Sequence, residues 1–251
     1  MIGAGNVSTH ISRHLHLKGH RISCVYSRSE ESAMTLANEL ECLGTAVPDE
    51  VPDQADFYIV SVPDSAVSSV AGKFTGRKGT WLHTAGALAM DVFKEHYSRY
   101  GVLYPLQTLS RTRVLNLEQS PFLVEGSSLE VSETIIRLAG SISTDVQKAD
   151  SHTRRIVHLA AVFANNFSNH MVHIGQQILS EQELDPKLLD PIIKETFRKI
   201  LDRGAMEAQT GPALRNDRET MQKHAELLKQ HPEWEKLYTF ISRDIGRARD
   251  K

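Results

Sequence analysis

The chain has 251 residues, 40% hydrophobic and 24% charged, with a formal net charge of -2. That length allows one large domain or two modest ones around a real core, and the near-balanced charge argues against a nucleic-acid partner, which usually shows a clustered basic excess. No apolar run reaches the roughly 18 residues of a membrane span, no signal-peptide layout is read at the start, and Cys24 and Cys42 suit a reducing, cytoplasmic setting without any metal-ligand spacing.

The chain opens with Met1-Ile2-Gly3-Ala4-Gly5-Asn6-Val7-Ser8, a G-x-G-x-x-S turn entering a helical pattern over 6–18 that Lys18-Gly19 end. Gly3 permits the tight turn. Gly5 lets the backbone approach a pyrophosphate, which then sits on the free N–H groups of the helix start at Asn6 and Val7. Ser8 stands where Gly or Ala is usual and is small enough for close helix–strand packing. The alternative is a glycine turn without a ligand. Only Met1 and Ile2 precede the turn, so the expectation is a shortened first strand, a truncated chain and a weakened sheet centre.

Strands are predicted over 21–26, 57–62, 80–84, 100–104 and 121–125, and helices over 30–40, 64–73 and 129–139. The run Phe57-Tyr58-Ile59-Val60-Ser61-Val62 is almost wholly apolar, as a strand covered on both faces requires. The alternation predicts a parallel sheet with right-handed crossovers, an α/β fold of Rossmann type. About twenty residues beyond the glycine turn, a site for NAD places an acid on the ribose 2′-hydroxyl. Here the chain reads Tyr26-Ser27-Arg28-Ser29. Arg28 brings a planar cation, and Ser27 and Ser29 bring hydroxyls, a set that suits the 2′-phosphate of NADP. The alternative is a Ser27–Glu30 capping box with Arg28 merely solvated.

From about residue 150 no strand pattern follows. Ile156, Leu159, Phe163, Phe167, Met171, Ile174 and Ile178 recur at helical steps, predicting one long helix of roughly 40 Å with a buried apolar stripe. Asp185-Pro186 and Asp190-Pro191 each read as a cap before a helix, Gly204 as a stop, Asp217 as a further cap and Pro232 as the opening of the last helix. The domains are therefore 1–149, binding NADP, and 150–251, all-α.

These segments resemble the Rossmann-like NADP oxidoreductases that carry the C-terminal domain of unknown function numbered 2520. The likeness rests on Ile2 to Val7, Val25 to Arg28, Val60 to Asp64, His83 to Gly86, Tyr104 to Thr108, His158 to Phe163, Asn165 to Phe167 and Gln209 to Ala213. More distantly the chain is similar to pyrroline-carboxylate reductases and the 6-phosphogluconate dehydrogenase superfamily. The resemblance implies a helical second domain of that superfamily's type, a homodimer formed through it, and hydride transfer between NADP(H) and a small carbonyl or imine. A non-catalytic NADP-binding sensor is the alternative.

Ligands of open parallel sheets bind at the carboxyl ends of the strands. That places Val62 and Pro63 under the nicotinamide ribose and Thr84 beside it. His83 is the expected proton donor or acceptor, against a purely structural histidine. Gln107 either orients the substrate or caps the turn after Pro105. On the long helix His158 and Asn165, seven residues apart, line up on a polar stripe expected to face His83 and Gln107. The superfamily's hydroxyacid dehydrogenases use a lysine and an asparagine on the equivalent helix. No lysine occurs here between Lys148 and Lys187, so His158 takes that place or the reaction is imine reduction. Arg215, beside Thr210-Gly211-Pro212, reads either as an anion clamp or as a surface residue.

Overall fold

The computed structural model describes residues 1–113 and 115–249. It divides into two compact units, Met1–Asn165 and the chain from Asn166 onward.

The first unit is built on strands β1 (Cys24–Tyr26), β2 (Leu43–Thr45), β3 (Gln54–Val60), β4 (Lys78–His83), β5 (Tyr100–Pro105), β6 (Phe122–Gly126) and β7 (Val146–Lys148). The pieces β2-β1 and β3-β4-β5-β6-β7 are joined through Ile2, which bridges Tyr26 on one side and Val60 on the other, both in parallel. One residue thus fills the central strand position: Ile2 N–H donates to the Ile59 carbonyl at 2.8 Å, and its own carbonyl accepts from Ser61 at 2.7 Å. The order reverses there, giving the switch point at which Rossmann sheets bind ligands.

The sheet is not wholly parallel, as had been expected. β6 runs antiparallel to β5, pairing Tyr104 with Leu123, and β7 runs parallel to β6. A parallel neighbour needs a crossover to the far end of the sheet, usually a helix. The described residues between β5 and β6 form no helix, so the chain re-enters from the same end. β2 and β7 escape sequence reading because each is three residues long and neither is an apolar run.

Helices α1 (Asn6–Leu17), α2 (Glu30–Glu39), α3 (Val67–Lys73) and α4 (Leu129–Gly140) cover the sheet. Alternation along β4 supplies both faces. Trp81 joins Phe74 and Val70 of the α3 region, with its ring stacked on Tyr58 at 4.4 Å and on Tyr97 at 4.1 Å. Leu82, one residue on, packs with Ile11 and Leu15 of α1 and Ile135 and Leu138 of α4.

β7 ends at Lys148 and α5 (Ser151–Ala161) begins behind the Asp150 cap. α5 packs as part of the first unit. The predicted single helix is divided by a π-helical turn over Val162–Phe167 before α6 (Ser168–Ser180). Then follow α7 (Asp190–Arg203), α8 (Ala205–Ala208), α9 (Arg218–Leu227) and α10 (Pro232–Arg249). Gly204 ends α7 with a φ of 86°, and Asp217 caps α9 by accepting from the Thr220 N–H. Asp185 caps the short 3-10 turn Pro186–Leu189, whereas Asp190 lies inside α7 behind a Leu189 cap, not at the cap itself.

No described residue beyond Arg154 is buried. The apolar stripe expected to be covered is largely open: Ile156 is 55% exposed, and Leu159, Phe163, Phe167 and Ile178 are exposed as well. Within the second unit α6, α9 and α10 leave an apolar hollow of about 350 Å³ lined by Met171, Ile174, Leu237 and Ile241. Among the described residues no helix is long and apolar enough to cross a membrane.

Candidate functional site

The glycine turn leaves the sheet at its switch point. Gly3 has φ +107°, and a Cβ there would meet the Ser61 carbonyl oxygen at 2.2 Å and Val62 at 3.1 Å, so only glycine fits between the turn and the end of β3. A Cβ at Gly5 would meet nothing within 4 Å. That open space lies before α1, whose N-terminus has no side-chain cap and no acid in its first turn. Ser8 does more than fill a small space. Its buried hydroxyl donates to the Gly3 carbonyl at 2.6 Å and braces the turn from inside the helix. A pyrophosphate fits this arrangement, with free N–H groups and the positive helix end toward it.

After β1, Ser27, Arg28 and Ser29 lie at the surface, and no acid stands among them. The cap of α2 is Ser29, whose Oγ accepts from the Ser32 N–H at 3.2 Å, in place of the alternative Ser27–Glu30 box. The Ser27 hydroxyl accepts from the Ser29 N–H at 3.3 Å. Arg28 is exposed and makes no ion pair among the described residues.

Further along the strand ends, the Thr84 hydroxyl donates to the Ser61 hydroxyl at 3.2 Å, tying the end of β4 to the start of the Val62-Pro63 segment. Beside it His83 is fully buried, its ring 5.7 Å from that of Phe93. Nδ1 accepts from the Ala85 N–H at 3.2 Å, while Nε2 finds no hydrogen bond of ordinary geometry. Burial, helped by the charge of Arg154 and only partly offset by the Ala89 carbonyl, pushes its pKa down to about 3. The expected role as proton donor is corrected accordingly: the ring is sealed from solvent and neutral near pH 7, and its place is in the core.

A different pair faces outward at these ends. The Tyr104 hydroxyl and His158 Nδ1 lie 3.1 Å apart, with the rings edge to face at 5.9 Å, and both side chains are half-buried. Gly86 makes their approach possible. A Cβ there would come within 2.6 Å of His158 Nδ1 and 3.0 Å of the Tyr104 ring. The face of α5 that carries His158 therefore packs on Gly86 and Tyr104. Burial raises the Tyr104 pKa, the nearby Arg154 cation opposes that rise, and Asp64 adds to it.

Arg154, one helical turn before His158, anchors this geometry. Its guanidinium is buried. It donates to Glu125 at 2.6 Å, to Ser151 at 3.2 Å and to the Leu88 carbonyl. Ser151 in turn donates to Glu125 at 2.8 Å and accepts from the Met90 N–H at 3.3 Å. The network ties α5 to β6 and to the loop after β4, and so fixes His158 over Gly86. Sequence reading passed over Arg154 and the Tyr104 hydroxyl. The only signals were a tyrosine at the end of a strand and an arginine four residues before a histidine that had been singled out.

Gln107 is engaged locally. Its amide donates to Ser120 at 3.2 Å and its carbonyl accepts from the Thr108 N–H at 2.9 Å, the capping alternative. Asn165 is exposed within the π-helical turn, where the wider helix breaks the seven-residue alignment with His158 that an α-helix would give. Arg215 is exposed in the turn that follows Gly211.

A mostly parallel sheet with a glycine turn at its switch point, followed by helices, is the architecture of a Rossmann-type protein. Residues 1–82 match the family described as NADP oxidoreductase coenzyme F420-dependent, and residues 120–245 match the Domain of unknown function (DUF2520). The chain belongs to this DUF2520 group of NADP oxidoreductases. It is 39% identical to a candidate NADP oxidoreductase of known structure from Bacteroides fragilis, with a TM-score of 0.94 over 98% of this chain and 96% of that one. A Thermotoga maritima protein is 22% identical, with a TM-score of 0.85 over 100% and 98%. The reductive aminase from Aspergillus terreus, solved with NADPH and ethyl-5-oxohexanoate, is 15% identical, with a TM-score of 0.68 over 99% and 96%, and shares the fold. No curated protein matches the chain.

Proposed function

We propose that the protein reduces a small carbonyl or imine with NADPH and that Tyr104 and His158 deliver the proton. The observation that carries this reading is the Tyr104–His158 hydrogen bond over Gly86, half-open at the carboxyl ends of β4 and β5. When bound at the glycine turn, NADPH would supply the hydride for the substrate carbon. The Tyr104 O–H donates its proton to the developing alkoxide or amine nitrogen, and His158, hydrogen-bonded to the phenol oxygen through Nδ1–H, passes it that proton as Nε2 takes one from solvent. The buried Arg154 cation stabilises negative charge on Tyr104 in that step. Gly3, Gly5, Asn6 and Val7 hold the pyrophosphate, Val62, Pro63 and Thr84 border the ribose, and Ser27, Arg28 and Ser29 take the 2′-phosphate. The reductive aminase of like fold was solved with NADPH and ethyl-5-oxohexanoate, a carbonyl compound, which favours this substrate class.

A second copy of the chain covers the open helical face. The second unit buries none of its described residues, and Leu188, Ile192 and Leu201 are exposed on it, so a homodimer through the helices gives it the core it lacks. The free thiols Cys24 and Cys42 fit a cytoplasmic location.

The test is substrate-dependent NADPH oxidation across a panel of keto acids, ketones with amine donors, and cyclic imines. At least one class is turned over, and Arg28→Ala weakens NADPH with little change for NADH. NADH bound more tightly than NADPH by the unmodified protein would overturn the cofactor choice, and no turnover in any class would overturn the reaction.

A further inference from the structure

The glycine turn is touched from a distant part of the chain. The described part of the loop between β5 and β6 lies back over α1. His10, buried on α1, meets the Ser110 carbonyl at 2.9 Å through Nε2, which must therefore carry the proton. One turn on, His14 Nδ1 meets the His10 carbonyl at 2.8 Å and donates to it. Its Nε2 is then free to accept the Leu117 N–H at 3.2 Å. Two histidines at i and i+4 thus tie Ser110 and Leu117 to one helix. Next to Ser110, the Arg111 guanidinium donates to the Ala4 carbonyl, inside the turn itself.

This is a poor place for an unpaired cation. Arg111 is exposed and meets no carboxylate among the described residues. It stands at the start of α1, whose first turn has no acid and no side-chain cap. Two positive features, a helix N-terminus and a guanidinium, repel unless an anion lies between them. Guanidinium carries five N–H donors in a fork that matches phosphate oxygens, and the Ala4 carbonyl engages only part of that fork.

We infer that Arg111 is a binding residue for the dinucleotide pyrophosphate, closing over it from the loop that His10 and His14 hold in place. The inference rests on the reading that the turn takes a dinucleotide. It assigns the two arginines different phosphates: Arg28 the 2′-phosphate and Arg111 the pyrophosphate.

Calorimetric titration of the full chain with NADPH, ADP-ribose and adenosine 2′-monophosphate separates these roles. Arg111→Ala is expected to weaken NADPH and ADP-ribose about tenfold or more, as the loss of a charge-assisted hydrogen bond does, and to leave adenosine 2′-monophosphate unchanged. Arg28→Ala is expected to weaken NADPH and adenosine 2′-monophosphate and to spare ADP-ribose. Arg111→Lys, which keeps the charge and loses the fork, falls between wild type and Arg111→Ala, with an unchanged melting temperature. Unchanged ADP-ribose affinity in Arg111→Ala overturns the inference, as does an equal loss for all three ligands, which would make Arg111 a structural residue. Wild-type protein that binds neither NADPH nor ADP-ribose overturns the cofactor reading itself.

Discussion

The two units of this chain use apolar side chains in opposite ways. In the first, Trp81, Phe74, Phe93 and Phe122 are fully buried, and each face of the sheet is closed by its own helices. In the second, Leu201 is 86% exposed, and Leu188, Ile192 and Phe240 are open too, although the helical periodicity is as regular as in α1 or α4. Amphipathic pattern therefore marks which face of an element is to be covered, not whether its own chain covers it. The sheet of the first unit is covered on both faces, and the apolar side chains that unit leaves open include Ile156 and Leu159 of α5. The helices of the second unit leave these apolar side chains open.

That contrast breaks most easily at the centre of the sheet unit. Trp81→Ala removes a ring held between Tyr58 and Tyr97 and should cost about 3–5 kcal/mol in unfolding free energy. Urea denaturation measures it, and a loss under about 1 kcal/mol would mean that this core is not closed as described.

A smaller effect follows from His83. At neutral pH both the folded and the unfolded chain hold it uncharged. As pH falls below 6.5 the unfolded chain binds a proton that the folded chain refuses until about pH 3. Stability should drop across that window by up to a few kcal/mol from this group alone. Comparing unfolding free energies at about pH 7 and about pH 4 in wild type and His83→Leu isolates the contribution. The variant should lose less, and an equal loss in both proteins would show that the ring is not sealed.

The smallest effect on the isolated fold belongs to the helical unit. Leu201→Glu should change monomer stability by no more than about 0.5 kcal/mol, as surface substitutions do. Sedimentation equilibrium should nevertheless show a weakened homodimer. A wild-type protein that stays monomeric would remove the reason given for the open face.

The glycine turn, the missing acid after β1 and the helical second half were legible because each is local: a spacing, a residue type, a period. The antiparallel β6 was not, because strand direction depends on the connection between β5 and β6, whose described residues form no helix. The edge strands β2 and β7 were missed because Leu43-Gly44-Thr45 and Val146-Gln147-Lys148 have no apolar run. At the site, His158 was picked out from its helical position. His83, also singled out, is turned into the core by the alternation along β4. Tyr104 reaches His158 only because Gly86 leaves room for it, a three-body condition that no single segment displays.

Tyr104 and His158 are proposed to act as one proton-delivering unit beside bound NADPH. A double-mutant cycle of Tyr104→Phe and His158→Gln tests it, read in single-turnover oxidation of NADPH by the best substrate of the panel. Each single variant should slow the step by about 10²–10⁴-fold while binding NADPH as tightly as wild type, and the double variant should be little slower than either. Full rates in Tyr104→Phe, or losses that simply multiply in the double variant, would contradict the claim.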